Sequence, residues 1–439
     1  MHSRSGPTGL RDCMMAMNIP APCPSTMYQT ANKVGKLVVE HSKKDLESHR
    51  QQLKEIKALR GLGDDTRVDI ETDCCYNNEK YSGVFKTPFQ AGTQVACVMA
   101  ENVTGQKSII GVVTKNKLCA KGARHGFKGP NHPGHCSADL AQGETIGNEQ
   151  QWAKEATMPI LDAGLWVSHV TTDPDGKAGK GVQEACRETN SNIPEHLMDT
   201  RHMSSNQRKK VNKETFSEDM LPGNTKAEKE KMQKRLANNV TKRCEFEFQS
   251  SFDHHAGDVK LIQRDMKHFV PAILNCYQGE HEMCRRMSYA CRGNANNTWL
   301  DTGPYLSKDF KLTCTDTDID KLMSCIEFKL GENALKSTKL NTNTQKSEAT
   351  VRSLRRSIPK PVTYTRNYKA RIHAAVHSVN WGTAESISRL RKAAACPVTA
   401  NTKVALGLKT RQRADIQRKN HKKLQSTKKK ENCKNKNAL

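Results

Sequence analysis

Apolar and polar residues alternate from Arg67 to Thr114 in a pattern that predicts strand, loop, strand, turn, strand. Val68 and Ile70 open it, Thr93 to Ala100 and Ser108 to Val113 continue it, and Asn102-Val103-Thr104-Gly105-Gln106 supplies the turn. On this pattern Asp73 leaves the first strand at its end, on backbone stiff enough to hold a metal-binding acid. A lone Asp there reads more simply as a turn residue. A second acidic end changes that balance: Leu165, Trp166, Val167 and Val170 make a short buried-strand run that ends at Asp173 and Asp175.

Helical periods flank these strands. Apolar positions at Val34, Leu37, Val38 and Leu46 predict a helix over Ser25 to Leu62, capped by Ser25 or Thr26, stopped by Gly61 and Gly63, with a solvated basic face. Asn148 to Ala163 predicts another, stopped by Gly164. Asp199 and His202 stand three apart, on one face if helical, a spacing that is common by chance. From Lys209 to about Asp265 apolar positions are sparse, and the pattern reads as exposed helices in an insertion. Asn343 or Thr344 caps a basic helix with Glu348 near its start and Pro359 and Pro361 past its end. The plainer reading of Glu348 is an exposed pair with Arg352 at i,i+4.

Charge and cysteine change the picture next. Lys and Arg outnumber acids 71 to 46, a net charge of +25, so a polyanion, most simply nucleic acid, is the expected partner. No apolar run approaches membrane-spanning length and no signal-peptide segment opens the chain, which predicts a soluble intracellular protein without a membrane partner. Sixteen cysteines then point to metal ligation and burial rather than a disulfide framework. Cys276, His281, Cys284 and Cys291 give Cys-x₄-His-x₂-Cys-x₆-Cys, compact enough for a closed tetrahedral zinc site. Cys119, His132 and Cys136 are a weaker zinc candidate among Gly and Pro, where polar surface explains them equally well. The last segment, with Lys422, Lys423, Lys428, Lys429 and Lys430, reads as a disordered polyanion-binding or nuclear-import tail.

Taken in order, Asp73 in DCCYNNEKYSG, Asp173 and Asp175 in TTDPDG, Asp199-Thr200-Arg201-His202 and Glu348 in TNTQKSEA resemble a Mutator-like transposase domain of animal DNA transposons. The strings SGVFKTPFQ, ENVTGQKSIIGVVTKNKLC, CYQGEHEMC, KLNTNTQKSEA and HAAVHSVNWGTAESI carry the resemblance over about residues 10 to 420. It implies an α/β, RNase H-like mixed sheet flanked by helices and interrupted by a largely helical, zinc-containing insertion. Asp73 would be the first catalytic acid, Asp175 or its neighbour Asp173 the second, and Glu348 the third. Asp199 and His202 fit the family's Cys/Asp-x-x-His motif and count among the expected catalytic residues.

The resemblance further implies Mg²⁺ or Mn²⁺ at Asp73, Asp175 and Glu348, cleavage of DNA at transposon ends, and transfer of the freed strand to target DNA. Arg352, Arg355, Arg356 and the terminal lysines would meet phosphates, with a homo-oligomer on DNA and a nuclear location expected. The expected divisions are an N-terminal helical region (1–63), the first part of the core (64–208), the insertion with structural Zn²⁺ (209–335), the core helix with Glu348 (336–388) and the basic tail (389–439). The alternative is a truncated or inactive copy, or a non-catalytic nuclear DNA-binding or interaction protein derived from a transposon.

Overall fold

The computed structural model describes residues 6–60, 66–77, 92–119, 137–141, 143–292, 299, 306 and 310–436. The chain divides into two compact units: 1–168 with 177–194 and 345–439, and 169–176 with 195–344. Five strands, β1 (Arg67–Asn77), β2 (Gln94–Glu101), β3 (Ile109–Asn116), β4 (Trp166–Thr172) and β5 (Glu195–Met198), form one mixed sheet in the order β3-β2-β1-β4-β5. β1, β2 and β3 are the antiparallel meander that the alternation predicts, while β4 and β5 run parallel.

In the first unit, α1 (Pro7–Ala16) and α2 (Pro24–Leu59) precede the meander, and α3 (Glu149–Asp162) and α4 (Lys177–Glu188) follow it. All eight β2 positions are buried, as expected of a strand covered on both faces. On one face Thr157 of α3 donates its hydroxyl to Met99, and Gly111 admits the helix: a Cβ there would stand 2.8 Å from the Ala156 carbonyl oxygen. The other face packs Cys75, Ala96, Val98 and Ile109 against α11 (Gln345–Ser357) and α12 (Tyr368–Trp381) through Val351, Leu354, Ile372 and Val376. α13 (Thr383–Ala393) and α14 (Lys403–Lys436) close the chain.

α2 begins at Pro24, with Cys23 rather than Ser25 or Thr26 at its cap, because proline suits a first helical position whose N–H has no partner to lose. Gly61 and Gly63 lie outside the described residues. Its basic surface is not solvated all round: Ser42, Asp45, His49, Arg50 and Lys57 are buried in the stripe with Val38, Leu46 and Leu53. α3 has Asn148 at its N-cap, and Gly164 follows it at φ +73°, a left-handed stop that glycine adopts readily. The segment expected to be a disordered basic tail is helical through Lys436.

The second unit adds α5 (Thr200–Lys213), α6 (Lys226–His254), α7 (Val259–Tyr277), α8 (Glu282–Met287), α9 (Asp316–Leu330) and α10 (Glu332–Thr338). Here the structure corrects the expectation of exposed helices. Leu236, Val240, Cys244 and Phe248, one every four residues along α6, are buried with Ile262, Met266, Phe269 and Ile273 of α7 and Leu322 and Ile326 of α9. One narrow apolar stripe suffices because three helices converge on it. A capping box of Thr225 and Glu228 opens α6, and another of Thr315 and Asp318 opens α9.

Candidate active site

Asp73 is not at the end of β1 but in its interior, paired with Val98, since Cys74, Cys75, Tyr76 and Asn77 continue the ladder along β2. Alternation puts Glu71, Asp73 and Cys75 on one face. Glu71 is fully buried and accepts the Ser347 N–H at 2.7 Å, while its own carbonyl accepts the Ser347 hydroxyl at 3.2 Å. That N–H belongs to the first turn of α11, where no partner exists within the helix, so a carboxylate from β1 serves as a remote cap and favours the helix dipole. Two residues on, Cys75 lies in the apolar layer with Val351 and Leu354. Asp73, half-buried between them, therefore faces the first turns of α11, where Glu348 stands at the edge of the buried stripe. Burial, and then the Asp73 carboxylate, push the Cys75 thiol up to about 12. Glu348 meets Arg352 at 3.9 Å, the i,i+4 pairing that its spacing predicts.

In the second unit β4 ends at Thr172, and Asp173, Pro174, Asp175 and Gly176 turn the chain, Gly176 at φ +68°. Asp173 is half-buried and its Oδ1 lies 3.5 Å from His202 Nε2, whereas Asp175 is exposed. Asp199 is the N-cap of α5: its Oδ1 accepts the Arg201 and His202 N–H groups at 2.6 and 3.1 Å. Its Oδ2 accepts both the N–H and the hydroxyl of Thr344 at 2.7 Å. Four donors occupy the approximately four acceptor positions of a carboxylate. Asp199 thus fixes the helix that carries His202 and the residue that precedes α11. Asp199 and His202 each still present a ligand-type atom within 4.8 Å of the other.

The thiol cluster is also in this unit. Cys276 comes from the last turn of α7, His281 caps α8, Cys284 lies within α8, and Cys291 follows it. One ligand atom from each of Cys276, His281 and Cys284 lies within 4.8 Å of the others, a group that could hold a metal ion. Cys291 joins them through thiol hydrogen bonds with Cys276 and Cys284, which together with the Arg243 guanidinium hold it well below the usual thiol range. Arg243 donates to the Cys291 sulfur from both terminal nitrogens at 3.3 Å and pairs with Glu247 at 2.9 Å. All three cysteines are buried, and a set of three sulfurs and one imidazole suits a soft tetrahedral ion with its outer partners in place.

A family model for the Mutator-like transposases matches residues 1–291. The chain belongs to that family. No curated protein and no solved structure matches it. The matched stretch of this Mutator-like chain includes Asp73, Asp173, Asp175, Asp199, His202 and the whole thiol cluster, and ends before Glu348.

Among the other expected positions, Arg352, Arg355 and Arg356 are exposed on α11. Lys422, Lys423, Lys428, Lys429 and Lys430 fall within α14, their side chains outside the described residues. Cys119 is buried, but His132 and Cys136 lie outside the described residues. Three residues escaped the sequence reading of this Mutator-like chain. Glu71 had a visible signal, since it shares a strand face with Asp73. Arg243 and Glu247 had only an i,i+4 spacing in a charged helix, where most such pairs are exposed.

Proposed function

We propose that the chain is a Mutator-like DDE transposase that cuts DNA at transposon ends and transfers the freed strand to target DNA, on an RNase H-like core. The reading rests on the acidic face of β1: Glu71 seats α11 so that Asp73 and Glu348 belong to one layer of the first unit. Asp175, with Asp173 as the other choice, is the second acid on this reading, and Glu348 is the third. Neighbouring carboxylates repel one another unless hard cations lie among them, so the three would hold Mg²⁺ or Mn²⁺. Bound there, such cations supply activation of a water or a 3′-hydroxyl and stabilise the departing oxygen at phosphorus.

The chain's own residues do the rest. His202, steadied by Asp173 and by its place in the first turn of α5, orients a phosphate. Asp199 positions and does not react, because its oxygens are already engaged. Arg352, Arg355, Arg356 and the lysines of α14 neutralise phosphates, giving salt-sensitive affinity that is largely independent of sequence. Cys276, His281, Cys284 and Cys291 hold a structural Zn²⁺. A homo-oligomer on DNA, working in the nucleus, completes the reading.

The test is cutting and joining of labelled element-end DNA with and without Mg²⁺. Asp73→Asn and Glu348→Gln each abolish nicking while DNA affinity stays within about twofold, the exposed basic residues being intact. Nicking that survives both changes rejects the catalytic assignment, and binding lost along with nicking gives these acids a folding role instead.

A further inference from the structure

A groove of about 690 Å³ in the second unit runs between α5 and α6. α5 presents Arg201, Ser204 and Arg208 to it, at i, i+3 and i+7, which is one helical face. α6 presents Lys242, Glu245 and Phe246, and Trp299 stands beside Phe246 with ring centroids 5.7 Å apart. Glu245 is matched by Lys242 at 2.6 Å. Among the described residues, no ion pair engages Arg201 or Arg208. Lys329 adds a third positive charge. It is 5% exposed, its ammonium bonds the Ser204 hydroxyl, and burial lowers its pKa. A desolvated ammonium and two exposed guanidiniums along one groove, with partly exposed aromatic rings at its wall, favour an anion that carries flat apolar groups. Nucleic acid has both, and the rings distinguish one strand from two: bases of a single strand can stack on them, whereas duplex bases are stacked already.

We propose that this groove holds a single DNA strand, with its phosphates on Arg201, Arg208 and Lys329 and an unstacked base against Phe246 and Trp299. The proposal rests on the DNA-processing reading above and adds to it the strand and the surface. Arg201 and Arg208 are seven residues apart, roughly 10 Å along the helix, far enough to meet different phosphates of one strand.

The test is fluorescence anisotropy on the full chain with a labelled 12-nucleotide oligo(dT) and, separately, a 12-base-pair duplex. Arg201→Ala with Arg208→Ala removes two exposed side chains and no packing, and weakens oligo(dT) binding by about tenfold or more. It also lowers the slope of log affinity against log salt by about 1.4, at roughly 0.7 per lost phosphate contact. Phe246→Ala weakens the single strand by about tenfold and the duplex by far less. Equal losses on both DNAs, or no loss on oligo(dT), overturn the proposal. The outcome is separable from the catalytic assignment, because oligo(dT) binding is read without Mg²⁺ and needs no cutting. A parent chain that binds oligo(dT) through these residues yet never cuts rejects catalysis and supports the groove.

Discussion

Asp73 and Glu348 sit on a strand and a helix whose hydrogen bonds and apolar contacts form without any cation. Cys276, His281, Cys284 and Cys291 instead sit at a helix end, on a six-residue helix and in the turn after it, a short segment that Arg243 and Glu247 of α6 tie down through Ser288, Tyr289, Ala290 and Cys291. A set of ligands carried by a sheet and its covering helix is built to present chemistry. A set carried by short elements is built to close a loop. Removing a ligand should therefore cost activity in the first unit and structure in the second.

The largest expected effect follows from the first half of that contrast. Asp73→Asn changes charge but not volume, so nicking falls on the order of a thousandfold or more, about 4 kcal/mol of barrier, while the thermal midpoint stays within a degree or two of the parent. A large drop in midpoint would instead make Asp73 part of the fold. For the thiol cluster the ranking inverts. Cys284→Ser takes bound zinc, read by elemental analysis, from one per chain to none. Loss of a structural metal also lowers the unfolding midpoint of that unit by about 10 °C or more. A parent chain purified without metal, or a variant that keeps its zinc, would end the claim.

Asp199→Ala tests an acid of the third kind, neither reactive nor metal-bound on this reading. It strips the cap of α5 and leaves the buried Thr344 N–H unpaired, for about 2–4 kcal/mol of stability. If Asp199 positions rather than reacts, Asp199→Asn keeps acceptor oxygen for part of this network and recovers part of both stability and nicking. Asp73→Asn recovers neither nicking nor the response to Mn²⁺. If Asp199→Asn is as dead as Asp73→Asn while folding normally, Asp199 belongs with the reacting acids.

The contrast also marks what the sequence could convey. Alternation located β1, β2 and β3 closely, and the compact Cys and His spacing included Cys276, His281 and Cys284, whose ligand atoms come together. The end of β1 was not legible, since Cys74, Cys75 and Tyr76 break the simple alternation and become strand only by pairing with Cys97, Ala96 and Val95. Nor was the core of the second unit: along α6, Leu236, Val240, Cys244 and Phe248 are separated by charged residues that dominate a local window. Glu71 and Arg243 act on residues 276 and 48 positions away, and no local pattern reports on such distances.

A smaller effect separates the units by pH. His377 is fully buried in the first unit, near Asp45, His41 and Arg389, and burial lowers its pKa to about 4. His373, also on α12, is lowered to about 3, again mainly by burial with Lys369 and Lys43 adding to it. Unfolding frees both imidazoles to titrate near 6.5. Below that pH the unfolded chain binds protons that the folded chain refuses, so their contribution is present above about pH 6.5 and is lost as pH falls toward 4. Between pH 6.5 and 5.5 the loss is about 1 kcal/mol for each histidine. His377→Gln removes one titrating group and should flatten the unfolding free energy, read from urea titrations against pH, by about that amount, leaving the zinc content of the second unit unchanged. If the variant keeps the parent's slope, another group carries the acid sensitivity.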